Sequence, residues 1–127
     1  MVHGSGKGKL HADIQAGSHT IASGLSLALG GEDEAPEPHA VLEASLAACT
    51  ILTVQLYANR KGWAINSIDV TIRIDAEGKE GTRMTREISF GPGLNAEQIE
   101  RLTEIANKCP IHRLLTGPVT IDTKVLG

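Results

Sequence analysis

Residues 38–61, PHAVLEASLAACTILTVQLYANRK, constrain this chain more than any other segment. Val41, Leu42, Ala44, Leu46, Ala47, Ala48, Cys49, Ile51, Leu52, Val54 and Leu56 cover most of the circumference of a helix. A helix apolar nearly all round is expected to be buried, in the middle of a domain or of a dimer. Pro38 suits the first helical turn, where its missing N–H costs nothing. Arg60 and Lys61 complement the C-terminal dipole, and Gly62 offers a left-handed cap. The stretch Ala40 to Ala58 is long enough to be tested as a membrane span. Glu43, Ser45, Thr50, Thr53, Gln55 and the many alanines make it a poor one, so no membrane partner is expected.

The remaining 103 of 127 residues must supply something for that helix to pack on, and a chain this long predicts a single domain, residues 1–127. Only Tyr57, Trp63 and Phe90 are aromatic, so the core must be aliphatic, and no aromatic platform exists for stacking bases. With a net charge of −3 and scattered basic residues, a nucleic-acid partner is not expected. Leu10, Ala12 and Ile14 alternate with His11 and Asp13 before Gly17-Ser18 and His19-Thr20-Ile21, which reads as a hairpin. Residues 24–38 form a loop whose acidic run, Glu32 to Glu34, is expected only to be solvated. His3, His11 and His19 are read as strand-face or solvent histidines. Ile68, Val70, Ile72 and Ile74 alternate with Asp69, Thr71 and Arg73 in the clearest strand, followed by a second over 83–90. Asn95 and Gln98 have capping-box spacing ahead of a helix carrying Ile99, Leu102 and Ile105. Cys109-Pro110 starts a short third helix, and Val119, Ile121, Thr123 and Val125 predict a last strand. The order implies an α+β fold, helices on a mainly antiparallel sheet.

Two cysteines are too few for a disulfide scaffold and lack zinc-ribbon spacing. Residues 1–9 lead into no apolar stretch of signal-peptide type, so a cytoplasmic setting is expected. Cys109, as an N-cap before Pro110, is expected to be the more exposed cysteine. Its thiolate there would be favoured by the helix dipole and by His112 and Arg113. Read from position alone, Cys49 is a small core residue whose burial raises its pKa, while Cys109 divides between a functional site and a plain helix break.

The segments 38–63 and 88–117 together resemble the OsmC/Ohr family. The resemblance rests on Gly30-Gly31, Ala-Ala-Cys-Thr at 47–50, Tyr-Ala-x-Arg-Lys-Gly-Trp at 57–63 and Cys-Pro-Ile-His-Arg at 109–113. Within the family it is similar to the subgroup with a C-P-x-H-R second-cysteine motif. The resemblance implies an intertwined homodimer of mainly antiparallel sheets around long central helices. Strands within residues 1–23 would pair with the partner, and residues 38–61 would form the central helix. It implies a peroxidatic Cys49, a resolving Cys109, a hydroperoxide substrate and an external dithiol reductant, through a sulfenic acid and a disulfide. No cofactor and no metal is called for.

In the family's peroxidases an N-terminal arginine, held by a glutamate ten residues before the first cysteine, supports the thiolate. Here the first arginine is Arg60, and position 39 holds His39. Lys7, Lys9 or Arg113 could supply the cation instead, with His39, Glu43 and His112 as further supporting candidates. Two other readings are a non-enzymatic small-molecule-binding dimer and a Cys/His metal site built from His39, Cys49, Cys109 and His112.

Overall fold

The computed structural model describes residues 1–127 in two compact units, 1–44 and 45–127. In the first, β1 (His3–Gly6), β2 (His11–Ala16) and β3 (His19–Gly24) form an antiparallel sheet in the order β1-β2-β3. The β2–β3 hairpin turns at Gly17, whose φ of 64° suits glycine, and sets Ile14 opposite Ile21. Strand β1 has no apolar alternation. It pairs through its backbone, with Gly4 opposite Ile14, where a Cβ would lie 2.9 Å from the Ile14 side chain.

Beyond β3, a short 3₁₀ turn (Leu27–Leu29) ends at Gly30, with φ 90°, and Gly31 follows so tightly that a Cβ there would meet the carbonyl of Leu25. The loop is anchored rather than merely solvated. The Pro36 carbonyl accepts from the Gly24 N–H at 3.1 Å and the Ser23 hydroxyl at 2.7 Å. Glu34 meets His11 Nδ1 at 2.8 Å, and Asp13 meets Nε2 at 3.0 Å. His11 is thus a strand-face histidine on β2, and Glu34, though exposed, is paired with it. Asp13 first, then Glu34, raise the His11 pKa above its ordinary value.

Helix α1 runs Pro38–Lys61, bounded as its proline and Gly62 imply. Gly62 has φ 74°, and the Trp63 N–H closes the end onto the Ala58 carbonyl at 2.9 Å. Its buried residues are Leu46, Thr50, Val54 and Ala58, one stripe at four-residue spacing. Within this single chain the burial is confined to that stripe: Leu52 is 63% and Leu56 51% exposed. By length and hydropathy α1 also meets the requirement for a membrane span, but Val54 and Ala58 belong to a core with Leu102 and Ala106.

That core continues through the hairpin of β4 (Ile68–Gly78) and β5 (Gly81–Phe90), which contributes Ile68, Ile88 and Phe90. Ile68 stands opposite Phe90, Val70 opposite Ile88 and Ile72 opposite Arg86, with an irregularity between Ile74 and Ala76. Helix α2 (Ala96–Ala106) opens on the expected box: Asn95 Oδ1 accepts from the Gln98 N–H at 2.8 Å, and Gln98 Oε1 accepts from the Asn95 N–H at 2.9 Å. Helix α3 (Pro110–Thr116) follows Cys109. No strand forms over 118–127, contrary to the alternation there, and Ile121 and Val125 are 82% and 92% exposed. A strand needs a ladder partner as well as alternating side chains, and no strand of the chain pairs with this segment.

Leu102 is fully buried at the centre of this packing. Leu102→Ala should cost about 2–5 kcal/mol in urea unfolding. Asn95→Ala, which removes only a cap, should cost about 1 kcal/mol. Equal losses would contradict the core assignment.

Candidate functional site

Within residues 45–127, four elements bring their polar groups to one place. Helix α1 supplies Cys49, Thr50 and Thr53; β5 supplies Arg86; the end of α2 supplies Asn107; and the start of α3 supplies Cys109, Ile111 and His112. Thr53 lies one turn after Cys49, so its hydroxyl falls beside the thiol, with Sγ and Oγ1 3.8 Å apart. Cys109 caps α3 as its position before Pro110 implies, and its sulfur accepts the His112 N–H at 3.3 Å. Its side chain is fully buried, whereas Cys49 is partly exposed, which reverses the expected order. A cap position fixes the backbone conformation but not what covers the side chain.

Cys49 is also not the inert core thiol that its alanine-rich neighbourhood implies. Burial alone pushes its pKa up. The backbone N–H of Ile111, the Cys109 thiol, the Thr53 hydroxyl and the charge of Arg86 pull it down, and the balance falls below the ordinary cysteine value. Each of these donors or charges favours the thiolate over the thiol. Cys49 is thus the more exposed sulfur and the one inclined to the thiolate, with the second thiol hydrogen-bonded to it. Both cysteines are free.

Arg86 is the cation at this site. Its Nη1 donates to Thr50 Oγ1 at 3.2 Å and its Nη2 to Asn107 Oδ1 at 2.6 Å. His112 is partly buried. Burial first, and then the Arg86 charge, lower its pKa, so at neutral pH it is an uncharged imidazole rather than a second cation. A cleft of about 480 Å³ opens here, its walls including Leu46, Arg83, Met84, Arg86, His112 and Leu115. The cleft thus sets apolar side chains beside two guanidinium groups and an imidazole, a lining that suits a small amphipathic molecule.

Of the other residues singled out from the sequence, Arg113 is exposed on α3. His39 and Glu43 belong to the unit of residues 1–44, as do Lys7 and Lys9. The groups that lower the Cys49 pKa, Ile111, Cys109, Thr53 and Arg86, lie within residues 45–127. No three His, Cys, Asp or Glu side chains assemble as a group able to hold a metal ion, so the Cys/His metal reading finds no geometric support. Thr50, Thr53, Arg86 and Asn107 were not anticipated. For Arg86 there was a signal: Met84, Arg86, Ile88 and Phe90 share the inward phase of β5, and a charge in that phase needs a polar partner.

The lowered Cys49 pKa means that thiolate appears, and alkylation accelerates, at lower pH than for an ordinary cysteine. Iodoacetamide labelling of Cys49, followed by mass spectrometry across pH, should show this early onset. Thr53→Val should move the profile to higher pH; an unmoved profile would remove the hydroxyl from the stabilising set.

A family model described as OsmC-like protein matches residues 31–124. No curated protein matches the chain. Among solved structures, an OsmC-like protein from Mycoplasma pneumoniae aligns with a TM-score of 0.78 at 18% identity, over 92% of this chain and 86% of that one. The organic hydroperoxide resistance protein OsmC of Legionella pneumophila aligns at 0.70 and 22% identity, over 92% and 88%. The organic hydroperoxide resistance protein OhrB of Bacillus subtilis aligns at 0.63 and 18%, over 92% and 90%. With the fold shared along nearly the whole chain and the family model matching most of it, this protein belongs to the OsmC-like family.

Proposed function

We propose that this protein is a thiol-dependent peroxidase that reduces organic hydroperoxides in defence against oxidative stress, with Cys49 peroxidatic and Cys109 resolving. The observation that carries this reading is the pairing of a thiolate-prone, partly exposed Cys49 with the buried thiol of Cys109. Two structural relatives are named as organic hydroperoxide resistance proteins, which supports the choice of substrate.

In the proposed cycle the Cys49 thiolate attacks the outer oxygen of ROOH. The O–O bond breaks, RO⁻ leaves and takes a proton as ROH, and Cys49 becomes a sulfenic acid. Cys109, as thiolate, then attacks the Cys49 sulfur; hydroxide leaves, is protonated to water, and the disulfide closes. An external dithiol supplies two electrons and two protons to reopen it by exchange. Arg86 and the Ile111 N–H stabilise the thiolate before attack, in the place of the N-terminal arginine and its glutamate that this chain lacks. No cofactor takes part.

The working unit in this reading is a cytoplasmic homodimer, each chain one OsmC-like domain with strands of residues 1–23 set against the partner. Exposed Leu52 and Leu56 on α1 and the apolar residues of 118–127 are surfaces of the kind that association covers. A reducing cytoplasm keeps both thiols available between turnovers.

Peroxide-dependent turnover with a dithiol reductant tests the proposal, comparing an alkyl hydroperoxide with hydrogen peroxide. Wild type should prefer the alkyl hydroperoxide, and Cys49→Ser should fall to background. Cys109→Ser should accumulate a dimedone-reactive Cys49 and form no intramolecular disulfide. Full turnover by Cys49→Ser would overturn the assignment. A wild type inert to every hydroperoxide, with a cleft that still binds small apolar ligands in Cys49→Ser, would favour a non-enzymatic binder of the same fold.

A further inference from the structure

Arg86 faces the apolar phase of β5, opposite Ile72, and forms no ion pair with a carboxylate. Its guanidinium spends its directed hydrogen bonds on two neutral groups. Thr50 is a rigid anchor: it is fully buried, and its own hydroxyl proton goes to the Leu46 carbonyl at 2.7 Å, which leaves a lone pair for Arg86. Asn107 is the C-cap of α2, and the chain after it is held by the Lys108 N–H on the Ile105 carbonyl at 2.9 Å and the Cys109 N–H on the Ala106 carbonyl at 3.3 Å. Thr50 is the residue after Cys49, and Asn107 stands two residues before Cys109. One planar fork therefore spans the two cysteine-bearing segments.

We propose that Arg86 is a positioning residue for disulfide closure: by tying Thr50 to Asn107 it holds the Cys109 segment against α1 so that the two sulfurs meet. This rests on reading Cys49 and Cys109 as one redox pair, though not on the oxidant being a hydroperoxide. Disulfide geometry is narrow, with S–S near 2.05 Å and Cα atoms about 4.4–6.8 Å apart, so a segment free to swing away from α1 closes slowly. Two nitrogens at fixed spacing make the tether. A lysine ammonium retains the charge near Cys49 but, as a single point on a flexible stem, cannot reproduce the fork. The acceptor end at Asn107 carries no part of the charge, so the two roles of Arg86 separate by mutation.

The test is reaction of the full, reduced chain with one equivalent of the aromatic disulfide 5,5′-dithiobis(2-nitrobenzoate), followed through the absorbance of the released thionitrobenzoate in two phases. In the first, the Cys49 thiolate takes one thionitrobenzoate and releases the other. In the second, the Cys109 thiolate attacks the Cys49 sulfur, expels the remaining thionitrobenzoate and forms the Cys49–Cys109 disulfide. Asn107→Ala and Arg86→Lys should each slow the second phase relative to the first by about tenfold or more, the order expected when a reacting group loses its hold. Asn107→Asp, which keeps an acceptor oxygen for Arg86, should restore closure, a rescue that a general loss of stability would not give. Closure in Asn107→Ala at the wild-type ratio, failure of Asn107→Asp to rescue, or a wild type with no second phase would overturn the tether. Because the reagent is a disulfide, the result stands apart from whether hydroperoxides are turned over.

Discussion

The four-residue repeat of Leu46, Thr50, Val54 and Ala58 along α1 sets the register of everything in residues 45–127. Val54 and Ala58 meet Leu102 and Ala106, which fixes α2, and the same core takes Ile68, Ile88 and Phe90 from the hairpin. Thr50 continues that stripe but is polar, so it enters the interior only with its hydroxyl satisfied. Cys49 precedes it and lies at the border of the stripe, partly exposed. Aliphatic packing thus decides where Cys49 stands, and the polar member of the stripe decides where a guanidinium can dock.

The chemistry at Cys49 is a contest between burial and donors. Low polarity around a sulfur favours the neutral thiol, yet a backbone N–H, a thiol, a hydroxyl and one positive charge outweigh it. Most of these are neutral dipoles, which cost little to bury when they are already hydrogen-bonded. Arg86 adds the only formal charge in the set, while the same charge and burial keep His112 neutral. With His112 uncharged, Arg86 stands as the cation among the groups that lower the Cys49 pKa.

Much of this was legible in the residues. Pro38 and Gly62 bound α1, Asn95 and Gln98 start α2, and strict alternation from Ile68 to Ile74 reveals β4, because each is a local rule with a local residue signature. The two cysteines were visible as candidates for the same reason. What was not legible depends on distant partners. The segment 118–127 has the side-chain pattern of a strand but no ladder to join. The exposure of Cys49 and Cys109 came out reversed because it depends on which elements cover each sulfur. The pairing of exposed Glu34 with His11 depends on β2 placing the histidine against it.

Arg86 shows how such a miss could be turned into a signal. In β5 the inward phase reads Met84, Arg86, Ile88, Phe90, and taken as hydrophobic patterning the arginine is simply an error in the strand. Taken as electrostatics it is a demand, since a cation in that phase must find acceptors or an anion. The chain offers no carboxylate there; it offers Thr50, Asn107 and the thiolate-prone Cys49. In this chain the charge that acts on Cys49 therefore comes from β5, whose register aims Arg86 at the Thr50 turn of α1. Here the guanidinium is fixed by two neutral acceptors, Thr50 and Asn107, which orient it without cancelling its charge.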